Sequence, residues 1–307
     1  RKKAVKMSET SCKPVGVIGL GNMGFPVSQN LIQAGFPVVG FDPLPDKQDR
    51  LRSAGGTAAA SAQEVGEHCQ AIITLLPSEQ ALHETIEALH DSCAAGTIVM
   101  ECSTMSVDAK KKARNRLAER DIILLDCPLS GTGAQAVYKD VVVYASGDSA
   151  AIAACVPIFE GFARLHYDLG EFGKGTCMKF VANQLVAIHN LAAAEAILLG
   201  VHCGLDAHQI VDVIGHGSGT SRMFEVRAPL MADHKWEAVT ITNRLFQKDL
   251  HLIGDALKDT GTPAPLFFAT LPIYTAAMAC GHAEDDTASI YDVLDKMSSK
   301  DSEPHET

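Results

Sequence analysis

From Pro14 onward, short apolar runs rich in β-branched residues alternate with stretches whose apolar positions recur at helical spacing. Residues 15–20, 38–41, 71–76, 97–101, 122–125 and 141–145 read as strands, and a helix running through Asn30 and Leu31 fills the first interval. The strand runs are continuously apolar rather than alternating. That pattern predicts strands covered on both faces, hence parallel β–α–β units. The rhythm stops near Gly170. Beyond Gly175, Met178, Val181, Ala182, Leu185, Ile188, Ala192 and Ala196 recur three and four residues apart. This spacing predicts one long helix over 177–202, stopped by Gly204. Residues 207–214, 241–258 and 265–279 predict further helices. The chain thus divides into a doubly wound α/β part over 13–172 and an all-helical part over 173–296, with flexible termini at 1–12 and 297–307.

Composition narrows the function classes without choosing among them. With 47% hydrophobic and 21% charged residues the chain reads as globular. A net charge of −11 argues against nucleic acid or an anionic membrane surface as the main partner, since both need clustered Lys and Arg. Nine scattered Cys form no CxxC pair, which fits the reducing cytoplasm. No run of about 18 apolar residues stands out, so no membrane span is expected. The basic opening Arg1-Lys2-Lys3 has no apolar segment behind it and reads as a disordered leader rather than a secretory signal. The twelve His form no HxH or HxxxH cluster on one predicted helix, so no metal is expected. The long helix is rich in Ala and Leu, which points to burial by a second copy: a homodimer or homotetramer.

The first candidate chemistry is Gly19-Leu20-Gly21-Asn22-Met23-Gly24, a GxGxxG that closes one predicted strand and opens a helix, with Asp42 ending the next strand. In that context it is the dinucleotide fingerprint of a Rossmann domain. Gly19 allows the tight turn, Gly21 lets backbone approach the pyrophosphate, and Gly24 lets helix and strand pack closely. The helix N-terminus then offers amide donors and a positive dipole to the phosphates. Asp42 would accept hydrogen bonds from the adenosine ribose and repel a 2′-phosphate. NAD is therefore expected over NADP, although Lys47 and Arg50 lie nearby in sequence.

Four motifs in order resemble the β-hydroxyacid dehydrogenase family, which includes 3-hydroxyisobutyrate dehydrogenase and tartronate semialdehyde reductase. They are the fingerprint with Asn30-Leu31 and Gly35, Asp126-Cys127-Pro128-Leu129-Ser130-Gly131-Thr132, the segment Gly170-Glu171-Phe172-Gly173-Lys174-Gly175 followed by Lys179 and Asn183, and Lys248-Asp249-Leu250. The resemblance implies Lys179 as acid–base for the alcohol proton, a role suited to a lysine drawn partly out of water. It also implies Asn183, one turn on, holding that ammonium or the substrate hydroxyl. Ser130, Gly131 and Thr132 would form a loop that grips the substrate carboxylate. Leu76, Pro77, Ser103, Thr104 and Lys248 would face the cofactor. Where the family commonly has Ser-Gly-Gly, this chain has Thr132 in the second glycine position, so its substrate is expected to differ from the best-known ones.

Two other readings compete with an NAD-dependent dehydrogenase of a small β-hydroxy acid or its semialdehyde. An NADPH-dependent semialdehyde or glyoxylate reductase would place a neutral or basic residue where Asp42 stands. A non-catalytic dinucleotide sensor would tend to lose the set Lys179, Asn183 and Lys248, all present here. Gly173-Lys174-Gly175-Thr176 lacks the spacing of a phosphate loop.

Overall fold

The computed structural model describes residues 13–237 and 239–298. Residues 1–12 and most of the polar tail read above as flexible lie outside the described residues. The chain forms two compact units that divide in sequence between Lys179 and Phe180.

In the first unit β1 (Val15–Ile18), α1 (Gly24–Gln33), β2 (Val38–Phe41), α2 (Pro45–Ser53), β3 (Thr57–Ala58), α3 (Ala62–His68), β4 (Ala71–Thr74), α4 (Glu79–Ser92), β5 (Ile98–Glu101), α5 (Val107–Ala118) and β6 (Ile123–Asp126) follow one another. The six strands pair in the order β3-β2-β1-β4-β5-β6, all parallel. This is the Rossmann order, whose ligand crevice opens at the carboxyl ends of the strands where the order reverses, between β1 and β4. Two helical layers explain the continuous apolar runs. Val17, Ile73, Met100 and Leu125 face one core with Val27 and Leu31. Their strand neighbours Ile18, Ile72, Val99 and Leu124 face another with Val65, Ile86 and Leu117.

Residues 141–145, expected to continue the parallel series, belong instead to a second sheet. There β7 (Leu129–Ser130), α6 (Gly133–Val137), β8 (Val142–Ala145), α7 (Ser149–Phe162) and β9 (Leu165–Asp168) follow β6, and the strand order is β7-β8-β9 with β7 antiparallel to β8. Periodicity has no purchase on the two-residue β7. In β9, Leu165, Tyr167 and Asp168 are exposed, so no buried apolar run announces it.

The long helix α8 (Lys174–His202) begins in the first unit and leads into the second. Its most apolar 18-residue window has mean hydropathy 1.5 with 33% of the window buried within the chain, long and apolar enough to cross a membrane by length and composition alone, a test that a core helix also passes.

The second unit continues with α9 (Ala207–Gly215), α10 (Arg222–Ala232), α11 (Asn243–Thr260), α12 (Pro265–Ala279) and α13 (Ile290–Met297). Phe246, Leu250, Ile253 and Leu257 form the buried stripe of α11, while Phe267, Tyr274 and Ala277 are buried on α12. In the polar core Asn190 donates its amide to Tyr274 Oη and to the Thr287 carbonyl, both at 2.9 Å, while its Oδ1 is buried without a hydrogen-bond partner. Sequence reading passed over α10 and α13. In α10 the buried face includes Arg227, which pairs with buried Asp286, so a charge occupies an apolar position of the pattern.

Candidate active site

The fingerprint forms the turn from β1 into α1. Gly19 has φ +91°, and a Cβ there would lie 2.2 Å from the Leu75 carbonyl oxygen. At Gly24 a Cβ would lie 1.8 Å from the Gly19 carbonyl oxygen, so this glycine serves the fold of the loop itself. Around a Cβ at Gly21 there is open space out to 4 Å. Asn22 is exposed, whereas Leu20 is fully buried. The N-cap of α1, Met23, makes no side-chain cap bond, whereas Ser61, Ser78, Ser106 and Asp148 cap α3, α4, α5 and α7. No side chain of the N-cap occupies the amide end of α1. Open backbone at Gly21 above an uncapped helix fits a dinucleotide pyrophosphate.

Asp42 follows β2 and is 8% exposed. Its carboxylate accepts the Leu20 amide at 2.8 Å and the Leu44 amide at 3.0 Å, so it latches the fingerprint loop to the end of β2. Each oxygen keeps a second acceptor site for a ribose hydroxyl. The two nearby cations each have a neighbour of their own. Lys47 pairs with Asp46 at 3.5 Å, and the Arg50 guanidinium lies 4.2 Å over the Phe25 ring.

The substrate-loop motif is more structured than a loop. Ser130 closes β7, and Thr132 is the N-cap of α6 in a capping box with Gln135. The Thr132 hydroxyl accepts the Gln135 amide at 3.4 Å and donates to Gln135 Oε1 at 3.3 Å. A Cβ at Gly133 would lie 2.6 Å from the Asn22 carbonyl, so α6 starts directly against the fingerprint. Asn30 on α1 closes the other end by donating to the Ala136 carbonyl at 2.7 Å. The structure therefore packs the start of α6, which directly follows Ser130–Thr132, against the fingerprint at Asn22. At the carboxyl ends of the strands, Leu76 and exposed Pro77 follow β4, and half-buried Thr104 follows β5. The Leu76 amide donates to Ser103 Oγ at 2.7 Å, which ties those two strand ends together.

Lys179 sits in the second turn of α8 and is 9% exposed, unlike a solvated surface lysine. The helix beneath it is held by residues that sequence reading did not single out as site residues. Asp126, at the carboxyl end of β6, accepts the Thr176 amide at 2.8 Å, Thr176 Oγ1 at 2.7 Å, Ser146 Oγ at 3.0 Å and Lys110 Nζ at 2.8 Å. Lys110 also lies 2.7 Å from Glu101, and all three charged groups are fully buried. Burial opposes the Lys110 ammonium, but the two carboxylates beside it outweigh that and hold its pKa above the usual lysine range. The sequence carried a signal: Glu101 and Asp126 end apolar strands, and Lys110 shares the buried face of α5 with Ala113 and Leu117.

Within the second unit, Asn183 on α8 donates to Asp249 Oδ2 on α11 at 2.7 Å. That bond uses an NH₂ donor, whereas an ammonium would donate to the Oδ1 acceptor of the same amide. Its neighbour Lys248 is half-buried on α11.

Comparison with known proteins adds a second line of findings. Residues 14–181 match the model for the NAD binding domain of 6-phosphogluconate dehydrogenase, and residues 173–294 match that for the NAD-binding of NADP-dependent 3-hydroxyisobutyrate dehydrogenase. An L-threonate dehydrogenase of Cupriavidus necator is 34% identical, over 90% of this chain and 94% of its own. A NAD-dependent L-serine dehydrogenase of Pseudomonas aeruginosa is 31% identical, over 92% of this chain and 98% of its own. Among solved structures, the 3-hydroxyisobutyrate dehydrogenase of Mycobacterium tuberculosis, described with L-serine, superposes with TM-score 0.83 at 28% identity, covering 92% of this chain and 99% of that one.

Proposed function

This chain belongs to the β-hydroxyacid dehydrogenase family, and from that premise we propose that Lys179 is the acid–base of an NAD-dependent dehydrogenase of small β-hydroxy acids. The observation that carries the reading is a buried lysine on a helix whose first turn is bonded to the carboxyl end of the sheet. Bound NAD supplies the hydride acceptor. The pyrophosphate is held by the turn around Gly21 and the N-terminus of α1, and the ribose by Asp42. In oxidation the neutral Lys179 amine takes the hydroxyl proton as the carbinol hydrogen leaves with its electron pair, and a carbonyl remains. In reduction the ammonium returns that proton. Ser130 and the Gly131 backbone anchor the substrate carboxylate. Thr132 is engaged in capping α6 and shapes that loop rather than serving as a free hydroxyl.

The relatives named for L-threonate and L-serine guide the choice of substrate, because both acids place a hydroxyl β to a carboxylate. NADH formation with L-threonate, L-serine, glycerate, 3-hydroxyisobutyrate and 3-hydroxypropionate, each with NAD and with NADP, tests the reading. Turnover of at least one acid with NAD is expected. NADH binding without turnover on any acid would replace the dehydrogenase by a sensor, and turnover with NADP alone would overturn the role of Asp42.

The enzyme is further proposed to be soluble, cytoplasmic and at least dimeric. Met178, Val181, Leu185 and Leu199 lie along α8 at 40%, 55%, 49% and 66% exposure, an apolar stripe that a second copy would cover. Size-exclusion chromatography with light scattering should give twice the chain mass or more. A monomer at micromolar concentration would sink the dimer.

A further inference from the structure

We propose that Asp126, acting with Ser146 and Thr176, is a positioning residue for Lys179: a buried carboxylate that fixes the turn of α8 from which Lys179 projects. The proposal rests on the acid–base reading of Lys179.

The first turn of an α-helix leaves amides without partners, and an ordinary helix satisfies them with one local cap residue. In α8 that work is done by two residues remote in sequence. Ser146 Oγ accepts the Gly173 amide at 3.2 Å and the Gly175 amide at 2.9 Å, and donates to Asp126 at 3.0 Å. Asp126 takes the Thr176 amide and hydroxyl at 2.8 and 2.7 Å. A carboxylate at the amide end of a helix is also favoured by the helix dipole. Contact is direct: a Cβ at Gly175 would lie 2.2 Å from the Tyr144 carbonyl oxygen and 2.8 Å from that of Asp126. Helix start and sheet edge are therefore fixed against each other with no side chain between them. Thr176 and Lys179 are one turn apart, so a displacement of the first is carried to the second along rigid helix.

The same cluster reaches the cofactor side. Lys110 bridges Asp126 to Glu101, Glu101 accepts the Ser103 amide at 3.0 Å, and Ser103 Oγ accepts the Leu76 amide. One buried charge group thus ties the ends of β4, β5 and β6 to the helix bearing Lys179. Proton transfer needs its donor and acceptor placed to a fraction of an ångström, so a displaced turn lowers the rate of chemistry before it weakens binding.

The test compares Thr176→Val, which keeps the volume but removes the hydroxyl donor, with Thr176→Ser, which restores it, and with Asp126→Asn. Amide exchange across residues 174–180 should quicken about tenfold or more in Thr176→Val and Asp126→Asn while β1 and β4 stay protected. With L-threonate, or whichever acid of the panel turns over, kcat should fall about 10- to 100-fold in Thr176→Val. KM and the NADH dissociation constant should stay within about twofold of wild type, and Thr176→Ser should recover most of the rate. Unchanged exchange in both variants overturns the proposal whatever the activity. Full kcat in Thr176→Val beside an inactive Lys179→Ala overturns it and leaves the role of Lys179 standing. An active Lys179→Ala removes the acid–base reading itself, and with it the function assigned to the Asp126 contact.

Discussion

Replacing Lys179 by alanine should leave an enzyme that binds NADH with near wild-type affinity and oxidises its hydroxy acid about 10²- to 10⁴-fold more slowly, the usual worth of a positioned acid–base. The substitution leaves the fingerprint, Asp42 and the strand ends proposed to hold the dinucleotide unaltered, so cofactor affinity measured by NADH fluorescence is the internal control. Arginine at this position sharpens the test. It keeps a cation of similar reach but cannot give up its proton at working pH. If Lys179 only attracted the substrate carboxylate, Lys179→Arg would retain much of kcat and alter KM little. If Lys179 moves the proton, Lys179→Arg is as slow as Lys179→Ala, and a small primary amine added to the alanine variant restores part of the rate. More than about a tenth of wild-type kcat in Lys179→Arg would end the acid–base assignment.

The residues proposed to hold the cofactor could be read from the sequence because their chemistry is local. A turn that only glycine can make at Gly19, a helix left uncapped at Met23 and an acid at the end of the next strand all fall within one β–α–β unit. The strand order was likewise implied, since parallel strands separated by helices have few ways to pack. The small β7-β8-β9 sheet was hidden because pairing between strands leaves no trace when a strand is two residues long or lies exposed at an edge.

What positions Lys179 was hidden for a different reason. Asp126, Ser146 and Thr176 meet across fifty residues of chain, and each alone reads as an ordinary polar residue near a strand or helix end. Asn183 illustrates the same limit. Its one-turn spacing to Lys179 gave no hint of the bond its NH₂ makes to Asp249 on α11, a residue already present in the Lys248-Asp249-Leu250 motif. Periodicity places a side chain on a face and says nothing about which buried carboxylate waits there.

The buried ammonium of Lys110 carries the other large expected effect, and it falls on stability. Lys110→Met fits the apolar face of α5 beside Ala113 and Leu117 and keeps most of the side-chain volume. It nevertheless strips both Glu101 and Asp126, each fully buried, of the cation 2.7 and 2.8 Å away. Two carboxylates then share a site without water or counter-charge, and breaking such a cluster from one side costs about 3–5 kcal/mol. For a chain of this size that is a fall of roughly 10 °C in the melting temperature. Removing a carboxylate as well should help: Glu101→Gln with Lys110→Met leaves Asp126 with its Thr176 and Ser146 donors and one charge fewer. The double variant is therefore expected to be more stable than Lys110→Met alone, with a coupling of about 1–3 kcal/mol in a double-mutant cycle by thermal or urea unfolding. Strictly additive losses would mean that Glu101 and Lys110 are not an ion pair in the folded protein. A melting temperature unchanged in Lys110→Met would mean that the charge cluster tying α5 to the ends of β5 and β6 contributes nothing to the fold.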